Sequence, residues 1–171
     1  MNTELLSVVD KNDQVIDTLP RHIIHASGLM HRAVHILIFN SKKQLFLQKR
    51  SIKKDLNKGL WDTSAAGHVD AGEKYNDSAI RETKEELGID INETIFPLFK
   101  LSPTKQLGME FIQVYQSIHD GPFTLNMDEI ETGNWFSIEE ISKRVLNNDL
   151  TMTETFKIIW QKYSKEHGAK E

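Results

Sequence analysis

Three glutamates within one short stretch of the sequence are the side chains best suited to do chemistry. Glu82, Glu85 and Glu86 lie at positions i, i+3 and i+4 of residues 76–87, which read as a helix, so their carboxylates fall on one narrow stripe. Like charges stacked in this way cost roughly 0.2–0.5 kcal/mol per pair unless a cation neutralises them. Oxygen ligands select hard divalent ions, and Mg²⁺ is usually held by carboxylates together with phosphate oxygens and water. The stripe therefore predicts a Mg²⁺ or Mn²⁺ site suited to a diphosphate.

A loop that contains two glycines leads into this helix. It carries Gly67 and Gly72, and Glu73 follows directly, eight residues before Arg81. An ion pair between Glu73 and Arg81 would fasten the loop to the helix, so we expect both residues to support the site and not to react. Three glutamates alone are more often a solvated helix face with Arg81 and Lys84 as partners. The glycines and the charged pair at fixed offsets favour the metal site.

Residues 67–89 match a longer pattern in which Gly67, Glu73, Arg81 and the three helix glutamates are fixed positions. The pattern is Gly-x5-Glu-x7-Arg-Glu-U-x-Glu-Glu-x-Gly-U, with U a mostly aliphatic position, and the sequence has all seven fixed residues. In this stretch the sequence resembles the Nudix family. Its one departure is Thr83, where that family usually has Leu, Ile or Val, and a small β-branched residue can still pack at such a position.

The resemblance to the Nudix family implies a fold, a metal site and a reaction. The fold is an α/β/α sandwich with a mixed sheet, to which this sequence adds an N-terminal β-hairpin. The metal ligands would be the carbonyl of Gly67 and the carboxylates of Glu82, Glu85 and Glu86, with Glu82 also helping to orient or deprotonate water. The reaction would be hydrolysis of a diphosphate linkage in a small molecule, and we favour a nucleoside diphosphate derivative.

Segments outside the motif narrow the resemblance to one branch of the family. They are similar to type 1 isopentenyl-diphosphate isomerase and its hydrolase-like relatives over residues 31–35, 40–50, 59–62 and 64–68. That isomerase has a catalytic Cys before a Gly-His pair and a Glu-x-Glu downstream, whereas this sequence has Ala66 and Gly108-Met109-Glu110. Isomerisation needs one group to protonate the double bond and another to remove a proton, and a methyl group can do neither. Hydrolysis of a diphosphate needs no Cys, so we expect a hydrolase in preference to an isomerase.

Three histidines and one further glutamate are the remaining candidates for metal chemistry. By the same resemblance, His25, His31 and His68 approximately match the metal ligands of the isomerase, with His25 and His31 one residue closer together. They could form a second metal site with Glu110. A glutamate on a strand is also a residue that Nudix hydrolases use as a general base, and for Glu110 we prefer that role.

Two basic residues are candidates for binding the diphosphate. Arg50 lies at the end of a predicted strand and Lys54 in the polar, basic loop of residues 51–57, at positions that contact diphosphate in the isomerase branch. The chain has a formal charge of −4, so an anionic substrate must be held by local cations or by bound metal. This requirement favours substrate binding over a solvated loop.

The length of 171 residues and the composition predict a single mixed α/β domain that spans residues 1–171. Residues 1–30 form a hairpin, with strands over 5–9 and 14–18, and a connection with one helical turn. Further strands are expected over 31–39, 44–49, 94–101 and 109–119. Helices are expected over 76–87, 137–146 and 153–167. We find neither a repeat nor a linker in the sequence.

Charge and composition exclude several classes of partner. A net negative chain disfavours a nucleic-acid polymer, no apolar run is long enough to cross a bilayer, and the first residues lack the features of a signal peptide. The absence of Cys removes thiolate metal sites and thiol nucleophiles, and it is compatible with a reducing cytoplasm. We therefore expect a cytoplasmic protein whose partner is a small-molecule diphosphate and not a membrane.

Two other functions remain open at this point. The first is isopentenyl-diphosphate isomerase-like activity, with water or another side chain in place of the Cys. The second is a non-catalytic module that binds a nucleotide. The N-terminal hairpin and the C-terminal amphipathic helix would either cover the core or form the contact of a homodimer.

Overall fold

Residues 4–168, which the computed structural model describes, form nine strands and four helices. The strands are β1 Leu5–Val9, β2 Val15–Pro20, β3 His31–Phe39, β4 Leu45–Arg50, β5 Trp61–Asp62, β6 Ala65–His68, β7 Phe96–Leu101, β8 Glu110–Ile118 and β9 Ile130–Phe136. The helices are α1 Arg21–Ser27, α2 Tyr75–Leu87, α3 Ile138–Leu146 and α4 Glu154–His167. None of these helices is long and apolar enough to cross a membrane.

Seven of the strands form one mixed sheet around β3. The order is β5-β4-β3-β8-β7, while β6 also pairs with β3 and β9 with β4. β3 and β8 are parallel from His31 opposite Glu110 to Phe39 opposite Ile118, and the other pairings are antiparallel. β4 pairs with β3 only at its first two residues, which leaves the rest of that edge of β3 to β6. This arrangement places β6, the strand that carries Gly67 and His68, beside the centre of the sheet.

The two faces of the sheet are covered by different helices. Alternate side chains of β3 point to opposite faces, so Val34 and Ile36 pack with α2 while Ala33 and Leu37 pack with α3 and α4. The largest buried side chain on the second face is Trp160 of α4. These layers, with helices on both faces of a mixed sheet, are the α/β/α sandwich that the sequence predicts.

The N-terminal strands form a separate two-stranded sheet, as predicted. β1 and β2 are antiparallel, and Leu6 and Val8 pack with Ile24 of α1 in a small cluster of their own. The backbone of β1 bonds to the loop before α2, where the amide of Ala71 donates to the carbonyl of Leu5 at 2.9 Å. The hairpin and α1 are thus attached to the loop that leads into the glutamate helix.

The glutamate helix has the boundaries that the sequence predicts to within one residue. α2 ends at Leu87, and Gly88 follows with φ of 72°, the left-handed conformation in which glycine is favoured. Thr83, the departure from the family pattern, is fully buried, and its hydroxyl donates to the carbonyl of Ala79 at 2.8 Å. The hydroxyl is therefore satisfied within the helix while the methyl group packs. Ser137 and Thr153 cap α3 and α4 with their side-chain oxygens, which confirms both helix starts.

Three expectations about the elements were incomplete. The connection after the hairpin holds a helix of seven residues between Pro20 and Gly28, and not one turn. The hairpin expected from residues 31–39 and 44–49 is paired only at its closed end, because β4 turns away to pair with β9. The sequence did not predict β6 and β9, because neither strand shows a clear alternation of apolar and polar residues. The sequence of β9 is largely polar.

Candidate active site

A cavity of about 650 Å³ contains nearly all of the residues that the sequence predicts for the site. Those that line it are Arg50, Lys54, His25, Gly67, His68, Arg81, Glu82, Glu85, Glu86 and Glu110. The other two are in direct contact with lining residues: His31 with the rings of His25 and His68, and Glu73 with Arg81. The fold thus brings all twelve predicted residues to one place, although they come from separate helices, strands and loops.

Glu86 is held at the inner end of the glutamate stripe. Its side chain is buried, with a residue exposure of 5%, and Oε1 accepts hydrogen bonds from Gln48 Nε2 at 3.1 Å and from the amide of Ala66 at 3.0 Å. Burial and, secondly, the charge of Glu82 raise the pKa of Glu86 to about 8. The fold therefore fixes this carboxylate in a place where its negative charge is unfavourable without a cation.

Glu82 and Glu85 share one cationic partner. Arg81 Nη1 donates to Glu82 at 2.9 Å and to Glu85 at 3.2 Å, while its Nε donates to Glu73 at 2.8 Å. Arg81 also donates to the carbonyl of His68 at 3.1 Å. The guanidinium thereby connects the loop before α2, the end of β6 and the glutamate stripe.

Glycine at position 67 is explained by the approach of Glu82. A Cβ atom on Gly67 would lie 2.1 Å from the carboxyl carbon of Glu82, which no real contact allows. Burial raises the pKa of Glu82 to about 7, although the neighbouring Arg81 acts in the opposite direction. The carboxylate therefore packs directly on the backbone whose carbonyl the resemblance assigns to the metal.

A further carboxylate that sequence reasoning did not identify lines the same cavity as the glutamates of α2. Glu129, in the loop before β9, forms an ion pair with Lys54, and its negative charge contributes to the raised pKa values of Glu82 and Glu86. The residues around Glu129 read as a polar turn and carry no motif. Its place in the cavity follows from the pairing of β9 with β4, which the sequence does not predict.

The three predicted histidines form a compact cluster at the other end of the cavity. The ring centroids of His25, His31 and His68 are 5.1–5.3 Å apart. One ligand atom from each of the three residues lies within 4.8 Å of the other two, close enough for a single ion. The Nε2 atoms of His25 and His31 are buried and have no hydrogen-bond partner within residues 4–168. His31 Nδ1 lies 2.9 Å from the carbonyl of Leu29, to which only an N–H can donate, so its Nε2 carries the free lone pair.

Two carboxylates contact this histidine cluster. Glu110 Oε1 lies 3.6 Å from His68 Nε2 and 3.9 Å from His31 Nε2, while Glu4 Oε1 lies 3.8 Å from His68 Nδ1. Burial disfavours the charged form of both His68 and Glu110: it acts to lower the pKa of His68 and to raise the pKa of Glu110. Nevertheless Glu110 and Glu4 raise the pKa of His68 to about 9, and His68 holds the pKa of Glu110 below its usual range.

The two predicted basic residues already contact other groups of the protein. Arg50 donates to the carbonyl of Leu56 from Nε at 3.2 Å and from Nη2 at 3.0 Å, which leaves Nη1 for the cavity, 3.8 Å from Asp62. Lys54 is paired with Glu129. Both cations line the cavity, and an anionic ligand would compete with the carboxylates that they now contact.

Among the other lining residues that sequence reasoning did not predict, three carry charged or titratable side chains of interest: Glu4, Arg21 and His35. Glu4 and Arg21 belong to the N-terminal segment, and Arg21 forms two hydrogen bonds to Asp55 of the basic loop, at 3.0 and 3.4 Å. His35 lies in the middle of β3, in a run that reads as core. Glu4 and Arg21 belong to no motif. His35 ends the segment 31–35 that resembles the isomerase branch, but a lone polar residue in a run of core residues carries no functional signal of its own.

The raised pKa of Glu86 predicts a stability effect in the absence of divalent ions. Its usual value near 4.5 applies to the unfolded chain, so between about pH 4.5 and pH 8 the folded state binds a proton that the unfolded state releases, and stability falls as the pH rises. Glu86→Gln keeps an oxygen that accepts from Gln48 and Ala66 but removes the charge. At about pH 8 in EDTA, we expect this variant to unfold at least about 2–4 °C above the wild type, the shift that about 1 kcal/mol produces in a domain of this size.

The gain should shrink towards about pH 5, where Glu86 of the wild type is protonated, and circular dichroism melts across this range would measure it. Glu85→Gln, on the exposed part of the same helix, is the matched control and should give no such pH-dependent gain. A Glu86→Gln protein that is less stable than the wild type at about pH 8 would contradict the burial argument.

Comparison with known proteins identifies the family. The NUDIX domain model matches residues 29–156. The isopentenyl-diphosphate Delta-isomerase of Pectobacterium atrosepticum is 31% identical over 94% of this chain and 96% of its own. An uncharacterized Nudix hydrolase of Pseudomonas aeruginosa is 36% identical over 81% of both chains.

Solved structures agree with this result. The crystal structure of DR0079 from Deinococcus radiodurans superposes with a TM-score of 0.73 at 28% identity, over 84% of this chain and 90% of that one. The match of the domain model to most of the chain, the relatives above 30% identity and the shared fold all lead to one conclusion. The chain belongs to the Nudix hydrolase family.

Proposed function

We propose that this protein is a metal-dependent hydrolase that cleaves a diphosphate linkage in a small molecule, with nucleoside diphosphate derivatives as the substrate class. One observation carries the proposal: the buried carboxylate of Glu86 and the largely buried one of Glu82, whose side chain is 13% exposed, have pKa values raised to about 8 and about 7 and line a cavity that cations also line. Carboxylates in such a place are suited to a divalent ion that carries a diphosphate.

Mg²⁺ or Mn²⁺ would be held by Glu82, Glu85, Glu86 and the carbonyl of Gly67. The donor set fits, since it is all oxygen, and the carboxylates are crowded on a helix face where their charges repel. When bound, such an ion polarises phosphoryl oxygens and lowers the pKa of water.

The side chains of the protein itself would bind the substrate and accept a proton from the attacking water. Arg50 and Lys54 would bind phosphate oxygens, and Lys54 would release Glu129 as it does so. Glu129 lines the cavity together with the helix glutamates and its charge acts on them, so that, once released, it can accept a proton from the attacking water. We therefore prefer Glu129 as general base to Glu110, which lies among the histidines, while Glu82 is the third candidate. Glu73 and Arg81 would keep the loop and the helix in place.

A second ion would be bound by His25, His31, His68 and Glu110. The fit rests on the two buried Nε2 atoms that lack partners and on a carboxylate within 4 Å of two of the rings. Imidazole with carboxylate suits Mn²⁺ and other transition ions better than Mg²⁺. Glu4, on the far nitrogen of His68, would orient that ring.

The cavity volume and the composition of the chain support the remaining proposals about partners and location. Its volume of about 650 Å³ suits a small molecule, and the net charge of −4 disfavours a nucleic-acid polymer. We further propose a cytoplasmic location, which is compatible with the absence of Cys. Dimer formation and a purely nucleotide-binding role remain predictions from the sequence.

The hydrolase proposal is tested by a substitution that displaces the carboxylate of Glu82 but leaves its charge in place. Gly67→Ala adds a Cβ that displaces the Glu82 carboxylate, and a displacement of about 1 Å in a catalytic site can lower the rate about 100-fold. We expect at least this loss in release of phosphate or monophosphate from a panel of nucleoside diphosphate compounds with Mg²⁺. Glu85→Gln should also be strongly impaired, whereas Lys84→Gln, exposed on the same helix, should retain wild-type rates. Equal rates for all four proteins would refute the assignment of the carboxylates.

Isomerisation is the second candidate function, and the histidine cluster with Glu110 favours it. Against it stands Ala66, whose methyl group cannot transfer a proton. We expect no incorporation of deuterium from D₂O into isopentenyl diphosphate in the presence of Mg²⁺ and Mn²⁺, as followed by mass spectrometry. Deuterium uptake that depends on Glu110 would establish the isomerase reading instead.

The two-ion proposal predicts the number of metal ions bound. After treatment with EDTA and loading with Mn²⁺, the wild type should hold two ions per chain by elemental analysis, and His25→Asn and Glu86→Gln should each hold one. His22→Asn, on the exposed side of the same helix α1, is the control and should hold two. If His25→Asn binds as much Mn²⁺ as the wild type, the histidine cluster is not a metal site.

A further inference from the structure

A buried glutamine to which the proposed mechanism gives no role lies in the wall of the cavity beside the glutamate helix. Gln48 belongs to β4, is 3% exposed and lines the cavity. Its neighbours in the strand, Leu45, Phe46 and Leu47, are buried apolar residues. A polar side chain buried in such a row is costly unless its hydrogen bonds are made, so its partners indicate what it does.

The alternation of side chains along β4 directs Gln48 towards α2. Leu45 and Leu47 pack in the core with α3 and α4, whereas Phe46 packs in the core with α2. Because successive side chains of a strand point to opposite faces, Gln48 shares the α2 face with Phe46. On that face its amide contacts Glu86, which lies in the last turn of α2.

Two acceptors fix the orientation of the Gln48 amide. Its Nε2 lies 3.3 Å from the carbonyl oxygen of Ser64 and 3.1 Å from Oε1 of Glu86. A backbone carbonyl can only accept a hydrogen bond, so the atom that contacts it is the nitrogen, whose two hydrogens serve the two acceptors. The bond to Ser64 does not depend on Glu86. It holds the amide in place, which makes Gln48 a fixed donor to the carboxylate.

Both hydrogen-bond donors to Glu86 converge on the same oxygen. Oε1 accepts from Gln48 and from the backbone amide of Ala66, the latter at 3.0 Å, and within residues 4–168 nothing donates to Oε2. The buried side-chain nitrogen and oxygen atoms that lack a partner in this range belong to three other residues, His25, His31 and Ser164. Oε2 is therefore not buried. Since Glu86 lines the cavity, Oε2 is the oxygen that is open to it.

The chemistry of these two donors suits a carboxylate that binds a cation. A carboxamide and a backbone amide carry no net charge, so they stabilise Oε1 of Glu86 without adding a positive charge that would repel a metal ion. The guanidinium of Arg81 donates instead to Glu82 and Glu85. Hydrogen-bond partners of this kind orient the ligands of metal ions, and their removal costs about 10- to 100-fold in metal affinity.

We propose that Gln48 is a positioning residue of the metal site: by donating to Oε1 of Glu86 together with the amide of Ala66, it fixes the carboxylate so that Oε2 is offered to the divalent ion. This inference rests on the proposed metal-dependent hydrolase function and adds a residue of β4 to the support of its ion. Gln48 itself binds neither the ion nor the substrate in this role, because its effect passes through Glu86.

Substitutions at position 48 separate the donated hydrogen bond from the space that the side chain fills. Gln48→Met has the same length and no donor, whereas Gln48→His brings a ring N–H to about the place of the lost amide. The matched control is Gln113→Met. Gln113 of β8 also donates to a backbone carbonyl, that of Phe99 at 3.1 Å, but it does not line the cavity.

The measurement is the affinity for Mn²⁺ alone, by isothermal titration calorimetry after treatment with EDTA. All variants are made in the His25→Asn protein, so that the histidine cluster does not contribute to binding. Circular dichroism melts show that each variant is folded at the temperature of the titration. Crystals of the parent His25→Asn protein with Mn²⁺ show which oxygen of Glu86 binds the ion.

Gln48→Met should weaken Mn²⁺ binding about 10- to 100-fold while the protein remains folded. Gln48→His should restore most of the affinity, Gln113→Met should bind Mn²⁺ as the parent does, and the crystals should show the ion on Oε2 of Glu86. A purely structural Gln48 gives the opposite pattern, a changed melting temperature with unchanged affinity, and that result would overturn the inference. An ion bound to Oε1 would overturn it as well.

Failure of the hydrolase proposal gives a different result. If the His25→Asn parent binds no Mn²⁺, the glutamate helix is not a metal site, and the hydrolase proposal is refuted together with the role of Gln48. If the parent binds Mn²⁺ and Gln48→Met binds it equally well, only the role of Gln48 is refuted.

Discussion

The burial of negative charge beside more negative charge is the constraint on which this site depends. Glu86 lies inside the protein with two good hydrogen-bond donors, and yet its pKa is raised to about 8 because the donors do not offset burial and the nearby charge of Glu82. A fold optimised for stability alone would not keep this arrangement. The loss of stability is explained if a divalent ion binds next to these carboxylates and offsets their negative charge.

Much of the remaining architecture serves to keep these charges in place. Arg81 holds Glu82, Glu85 and Glu73 at once, and Gly67 lets the Glu82 carboxylate rest against the backbone of β6. β6 can occupy this position because β4 leaves the edge of β3 after two residue pairs. The N-terminal segment completes the cavity from outside the matched domain: residues 29–156 match the NUDIX model, whereas Glu4, Arg21 and His25 precede them. Part of the cavity wall thus comes from the hairpin and α1, which lie outside the matched domain.

The sequence predicts the parts of the molecule that have a local signal. Helix α2 with its glutamate stripe, the capped helix α3 and the strand β3 are read from periodicity and end signals, and the spacing of the glutamates on α2 marks them as candidate metal ligands. β6 and β9 carry no such signal, because a short strand is specified by its partners in the sheet. Glu129 and His35 could not be identified for the same reason: one depends on the pairing of β9, and the other on a cavity that exists only once the sheet is formed.

The most direct test of the central claim is a crystal structure with Mn²⁺ and a non-hydrolysable ribonucleoside diphosphate analogue, in which anomalous scattering locates the ions. The account predicts an anomalous peak at bonding distance from carboxylate oxygens of the glutamate helix and from the diphosphate of the analogue. A bound analogue with no peak at Glu82, Glu85 or Glu86 would contradict it, since the buried charges would then have no role in holding the ion.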